Sequence, residues 1–413
     1  MSGSIVTPAV LAWLDYSQAD QRRAREIVAM FSQRESRDEL GLGGIRDALS
    51  DTLFPGTSVV LTRARYFLFV PWLFREGARR GHAGPRLASW VEGRERQLIE
   101  ALRKGGDLGG LIGGVAGPGV QNLPASIYWT SLRRFGILRH EGTMAQVAGL
   151  RQNARPVDDS TEFLERSDAV WTPSIPPPPD GFFEFDQCDF ALTHEEATWL
   201  AERIVDAAPD TLLQFLVLGG SRPSTSSRYA WEDPEAGAAT GSIAEALDEA
   251  RRFALAMHGA SLLYNVLLSE RGAKLGVTRH ASLRDDFTDR LDEWCGESAR
   301  SDLGDWNLAR LWALAAEQGR PVSVRTRSFV SAWLDLARRR WSGPALAGDD
   351  GARELVAGRE LYQKGSQARL RNDRLMRQWG GASGTARLNF RWPFIRRLLE
   401  DIADGRERDH ARA

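Results

Sequence analysis

Residues 242–262 read SIAEALDEARRFALAMHGASL. Ser242 with Glu245 three residues on has the spacing of a capping box, in which hydroxyl and carboxylate satisfy backbone N–H groups at a helix start. Leu247, Ala250, Ala254, Met257 and Leu262 then continue a helical run. The same texture recurs on both sides. Thr193 and Glu196 repeat the capping spacing ahead of Ala197, Leu200, Ala201, Ile204 and Val205. Ala24, Ile27, Val28 and Phe31 lie on one helical face, and Phe394, Ile395, Leu398, Leu399 and Ile402 form a last one. Lys104, Lys274 and Lys364 each sit four residues after a glutamate, the favourable order on a helix. Strand signals are short: Val59-Val60-Leu61, Ile137-Leu138 and Phe182-Phe183-Glu184-Phe185. The pattern predicts a mainly α fold of multi-helix domains with a few short β pieces.

Three stretches break the helical texture. Residues 105–119 hold eight glycines in fifteen. They read either as a loop between helices or as a backbone cradle for phosphate, without the lysine that would sharpen the second reading. Residues 151–181 are polar and end in Pro176-Pro177-Pro178-Pro179, a stiff extended spacer. Residues 221–241 read as a long loop. The expected organisation is an N-terminal helical domain over 1–150, a Pro-rich linker over 151–190, a central helical domain over 191–345 and a basic C-terminal helical segment over 346–413.

The chain has 413 residues, 42% hydrophobic and 26% charged, which is enough for a normal core and excludes wholesale disorder. Lys and Arg number 54 against 55 Asp and Glu, so attraction to nucleic acid must be local. Cys188 and Cys295 cannot build a disulfide framework and point to a reducing, cytoplasmic setting. No targeting segment is recognised at the N-terminus. The longest apolar run, Tyr66 to Phe74, has nine residues, whereas a membrane-spanning helix needs about 20. No membrane partner is expected.

Familiar catalytic signatures are absent. There is no Gly-x-x-x-x-Gly-Lys-Ser/Thr, His-Glu-x-x-His, His-x-Lys-x4-Asp, Gly-x-Ser-x-Gly or Cys-x-x-Cys. No catalytic residue, metal ligand or cofactor is assigned. Asp38, Glu39 and Asp47 form an acidic group near Arg63 and Arg65. The acids suit either metal-dependent chemistry or a structural ion-pair cluster. The second reading is preferred, because the arginines precede an apolar run that must be buried and buried charges need partners. Leu123 to Arg139 reads as a helix opened by Pro124, then Gly136 and an Ile-Leu strand. That is the order of a winged-helix-like element near 120–150, with Arg133, Arg134 and Arg139 facing phosphates, and also the order of many ordinary helix-to-strand corners. The strongest local signal is 364–397. There Lys364, Arg369, Arg371, Arg374, Arg377, Arg387, Arg391, Arg396 and Arg397 face one acid, Asp373, with Trp379, Phe390 and Trp392 interleaved. Basic and aromatic residues together suit a nucleic-acid backbone, with Lys364, Arg369, Arg371, Arg374 and Arg377 as contacts. An acidic protein partner is the competing reading.

Several phrases together carry a family resemblance. They are Ala12-Trp13-Leu14-Asp15-Tyr16-Ser17, Arg37-Asp38-Glu39-Leu40-Gly41-Leu42-Gly43, Leu53-Phe54-Pro55-Gly56-Thr57-Ser58 and Thr62-Arg63-Ala64-Arg65-Tyr66-Phe67-Leu68-Phe69-Val70-Pro71-Trp72. Lys364-Gly365-Ser366-Gln367-Ala368-Arg369-Leu370 and Arg391-Trp392 extend the likeness over nearly the whole chain. The chain resembles the bacterial domain of unknown function 6361 (DUF6361). The resemblance implies no catalytic residues. It implies an accessory protein of bacterial defence loci, near helicases and phospholipase-D-like nucleases. The expected function is a non-catalytic subunit or adaptor of a nucleic-acid-directed antiphage complex. Expected partners are DNA or nucleoprotein, and helicase or nuclease subunits. A divergent metal-dependent nuclease and a protein-only scaffold docking an acidic partner are the alternatives.

Overall fold

The computed structural model describes residues 38–106, 108–150, 170–185, 188–277, 282–339 and 341–408. The helical face at Ala24–Phe31 lies outside them. Among the described residues the architecture is α-helical. In chain order the helices are α1 (Gly43–Leu53), α2 (Tyr66–Arg79), α3 (Gly84–Lys104), α4 (Pro124–Arg134), α5 (Met144–Gly149), α6 (His194–Ala207), α7 (Leu212–Gly219) and α8 (Pro234–Gly237). They continue with α9 (Gly241–Lys274), α10 (Leu283–Arg300), α11 (Ala309–Glu317), α12 (Val324–Ala337), α13 (Gly343–Gly348), α14 (Asp350–Lys364), α15 (Asp373–Arg377) and α16 (Trp392–Glu407).

Helix α9 organises the C-terminal part of the molecule. Its 34 residues span about 50 Å at 1.5 Å per residue. Leu247, Ala250, Ala254, Met257 and Leu262 are all buried, as their spacing requires. Phe253 to Met257 are buried consecutively, so neighbours wrap this helix on more than one face. Those neighbours are α1 and α10 to α15. The expected Ser242–Glu245 cap does not form. The helix begins at Gly241 behind Thr240, which places Ser242 inside the first turn rather than at the cap. The Thr193–Glu196 capping box forms at α6, with both reciprocal hydrogen bonds.

On α9, Gly259 packs tightly against α10. A methyl group there would fall well inside contact distance of the Trp294 ring, whose Nε1 donates to the Leu255 carbonyl at 2.8 Å. Gly259→Ala is therefore expected to cost about 1–3 kcal/mol by overpacking. Urea denaturation checks this as a lower midpoint at unchanged slope.

The apolar run Tyr66–Phe74 is the first two turns of α2, and every residue in it is buried. The Pro-rich stretch supplies part of its cover. Trp72 Nε1 donates to the Pro176 carbonyl at 2.7 Å, and Phe182 packs on Phe69 and Trp72. Phe182–Glu184 is a 3-10 turn and not a strand, because Gly181 and Phe185 bracket it in the left-handed region. Residues 59–60 form a turn. After α4, Gly136 turns the chain at φ +66° and Leu138 meets Trp171 in an isolated antiparallel bridge. Among the described residues the pairing stops there, so the expected wing is not present. The corner is an ordinary helix exit tied to residues 170–172. Residues 108–119 of the glycine run form a loop that ends in a 3-10 turn at Gly117–Gly119, with Ile112 N–H donating to the Tyr66 hydroxyl at 3.1 Å.

Candidate nucleic-acid interface

Arg63 and Arg65 stand just before α2, so they enter the core with it. Both are buried. Arg63 Nε donates to both Asp401 carboxylate oxygens at 3.1 Å, and Nη2 lies 3.0 Å from Oδ1. Asp401 also accepts the Ala64 N–H at 2.9 Å. Arg65 pairs with Asp189 at 2.6 Å and with Glu196 at 2.9 Å.

The expected cluster of these arginines with Asp38, Glu39 and Asp47 is therefore corrected. The arginines take carboxylates from α16, from α6 and from the segment before α6. Asp38 accepts the Leu42 and Gly43 N–H groups at 2.6 Å each, at the start of α1. Glu39 pairs with Lys364 at 3.6 Å and with Arg369. Asp47 pairs with Arg46 at 2.9 Å and Arg320 at 3.9 Å. Closeness in sequence did not predict these partners because α14 and α16, over 300 residues later, return to the N-terminal helices.

Asp38 and Glu39 line a small cavity of about 110 Å³ with Arg46, His258, Ser261 and Tyr264. Burial, with Arg387 and Arg290 nearby, pushes the His258 imidazole down to about 4. Its Nε2 lies 3.2 Å from the Thr385 carbonyl, which can only accept, so the neutral ring donates there. A base that weak has little driving force for proton abstraction at neutral pH. Tyr264 donates to Glu360 at 2.6 Å, and Glu360 also accepts the Arg369 N–H at 2.7 Å. Among the described residues no three His, Cys, Asp or Glu side chains are grouped to hold a metal ion.

The basic segment 364–397 is largely neutralised by the fold. Lys364 and Arg369 are held by Glu39, Arg387 by Glu297 and Arg391 by Asp51 at 2.8 Å. Arg396 and Arg397 meet Glu400 within α16. Trp379, Phe390 and Trp392 are buried, so they belong to the core and not to a base-stacking surface. Lys364 and Arg369 are thus removed from the expected contact set.

Three of the predicted residues remain outside. Arg371 and Arg374 are exposed and have no acid partner among the described residues. Arg377 is exposed and donates to the Leu275 carbonyl at 3.0 Å, just beyond the C-terminal end of α9. Exposed Lys274, one residue from Leu275, joins them there. Arg271 lies beside the group but is paired with Asp373 at 2.5 Å. Because α15 covers only Asp373–Arg377, Arg374 and Arg377 are on the helix and Arg371 flanks it, with Met376 buried beneath. In the sequence Lys274 was legible only as a helical residue four positions after Glu270.

Arg133 and Arg134 occupy the last turn of α4, which Trp129 and Leu132 anchor in the core. Arg134 is exposed, while Arg133 is half-buried and donates to the Glu141 carbonyl at 2.8 Å. They belong to a different element from the α9–α15 group: α4 packs on α2, and α15 packs on α9.

No helix among the described residues is long and apolar enough to cross a membrane. Searches of curated proteins and of solved structures return no match. The family model of DUF6361, described as a family of unknown function, matches residues 8–406, and the chain belongs to that family.

Proposed function

We propose that the protein is a non-catalytic adaptor that binds a nucleic-acid backbone through Lys274, Arg371, Arg374 and Arg377. In this reading it serves a bacterial antiphage complex beside helicase or nuclease subunits. The observation that carries the reading is the exposure of Arg371 and Arg374 without a carboxylate partner among the described residues, in a segment whose other charges are largely paired. Since the interleaved aromatics are buried, the surface offers charge without stacking. That suits a duplex backbone held without base information. Asp38, Glu39 and Asp47 are committed to helix-start and ion-pair contacts, so nothing here favours the nuclease alternative.

Four phosphate contacts predict that the logarithm of the duplex-DNA binding constant falls against log salt with a slope of about −3 to −4. Arg371→Ala with Arg374→Ala should flatten that slope by about two and weaken all sequences alike. Fluorescence anisotropy at several salt concentrations checks both. No DNA binding at about 50 mM salt, where the Debye length is roughly 14 Å, together with loss of an acidic protein partner in the same double variant, would favour the scaffold alternative.

A further inference from the structure

Helices α12 and α14 pack side by side, joined by Arg359 Nη2 donating to Thr326 Oγ1 at 2.9 Å. Seven large apolar side chains stand out as exposed among the described residues, and three of them are on this pair. Val324 is 79% exposed, Leu361 41% and Tyr362 49%. The Arg325 guanidinium carbon sits 4.6 Å from the Tyr362 ring centroid, and no acid among the described residues pairs with it. One turn before Leu361, Gly358 is exposed and a Cβ there would meet nothing within 4 Å, which leaves a shallow seat beside the apolar pair. Arg327, also exposed, lies over the Trp312 ring. Val324 and Arg325 open α12, so the positive end of that helix faces the same ground.

We propose that this face docks an acidic peptide segment of a partner protein, anchored by one or two large apolar side chains. It is distinct from the backbone-binding surface described above. Valine and leucine offer nothing to a phosphate, whereas exposed tyrosine and arginine around an aliphatic centre are what protein interfaces use as anchors. Exposed Arg325 and Arg327 at the start of α12 outnumber Glu354, the exposed acid one turn before Gly358 on α14, so the face keeps a net positive charge that favours an acidic partner. The chain's own first 37 residues carry four acids against five arginines, so charge complementarity does not point to them.

The test is a random twelve-residue peptide display library panned on the full-length protein and on a Val324→Ser/Leu361→Ser variant. Both substituted side chains are exposed, so an unchanged unfolding midpoint is expected, and Arg325→Glu carries the test alone if the double variant does not fold. Peptides retained only by the unsubstituted protein should carry net negative charge around Leu, Phe or Trp. They should bind Arg325→Glu at least tenfold more weakly and lose affinity with salt. Four outcomes would each overturn the proposal: no face-dependent enrichment, face-dependent peptides that are neutral or basic, duplex-DNA binding abolished by the Val324/Leu361 changes, or a dimer of this chain that those changes dissociate.

Discussion

Arg63→Ala is expected to lower the stability of the protein by roughly 3–5 kcal/mol, because it leaves the Asp401 carboxylate buried without its cation. The pair joins the start of α2 to α16 across 338 positions of sequence. Arg63 also donates to the Gly109 carbonyl at 3.0 Å and lies over the Phe190 ring at 4.5 Å, so the substitution loosens the glycine-rich loop as well. Asp401→Ala should be similarly costly, since it strands the guanidinium and the Ala64 N–H together. Removing both charges for apolar side chains, as Arg63→Met with Asp401→Leu, should recover much of the loss, because most of the single-variant cost is the uncompensated charge. Urea denaturation of the three variants checks this. Single-variant losses under about 1 kcal/mol would mean that the pair is not desolvated.

The second large effect is a fall in stability as pH rises from about 5 to about 8, removed by Glu95→Gln. Glu95 is 1% exposed within α3 and accepts the Ala125 N–H at 2.6 Å, at the start of α4. Burial raises its carboxyl from 4.5 to about 8, and the Ala125 hydrogen bond offsets only part of that. Tyr66, Glu92 and Arg96 are the other titratable groups that act on it or feel it. The folded state therefore holds a proton that the unfolded chain releases. The stabilisation is fully present below about 4.5 and is lost as pH climbs through about 8. Moving the carboxyl from 4.5 to about 8 corresponds to about 4–5 kcal/mol at most. Glutamine keeps an acceptor for Ala125 and cannot ionise, so Glu95→Gln should match the unsubstituted protein near pH 5 and exceed it near pH 9. Equal pH slopes for the two proteins would show that Glu95 does not titrate in this range.

Local periodicity was sufficient for α6, α9 and α16, while α8 lies inside the stretch 221–241 that read as a loop. The spacing of Leu247, Ala250, Ala254, Met257 and Leu262 made α9 legible, and Thr193 with Glu196 marked the start of α6, because capping and side-chain period are set within four residues. The apolar run from Tyr66 announced its own burial. Partner choice was not legible. Arg63 was expected to meet Asp38, Glu39 or Asp47, yet its carboxylate is Asp401, and Glu39 instead neutralises Lys364 and Arg369.

The basic segment 364–397 shows the same division. Its charge could be counted from the sequence, but only the packing of α14 to α16 against α1, α6 and α9 separated exposed Arg371 and Arg374 from paired Arg369, Arg387 and Arg391. It also placed Trp379 and Trp392 in the core. The physical reason is range. Helix formation follows from neighbours three and four residues away, whereas burial of a charge is settled by whichever acid the tertiary fold brings within about 4 Å.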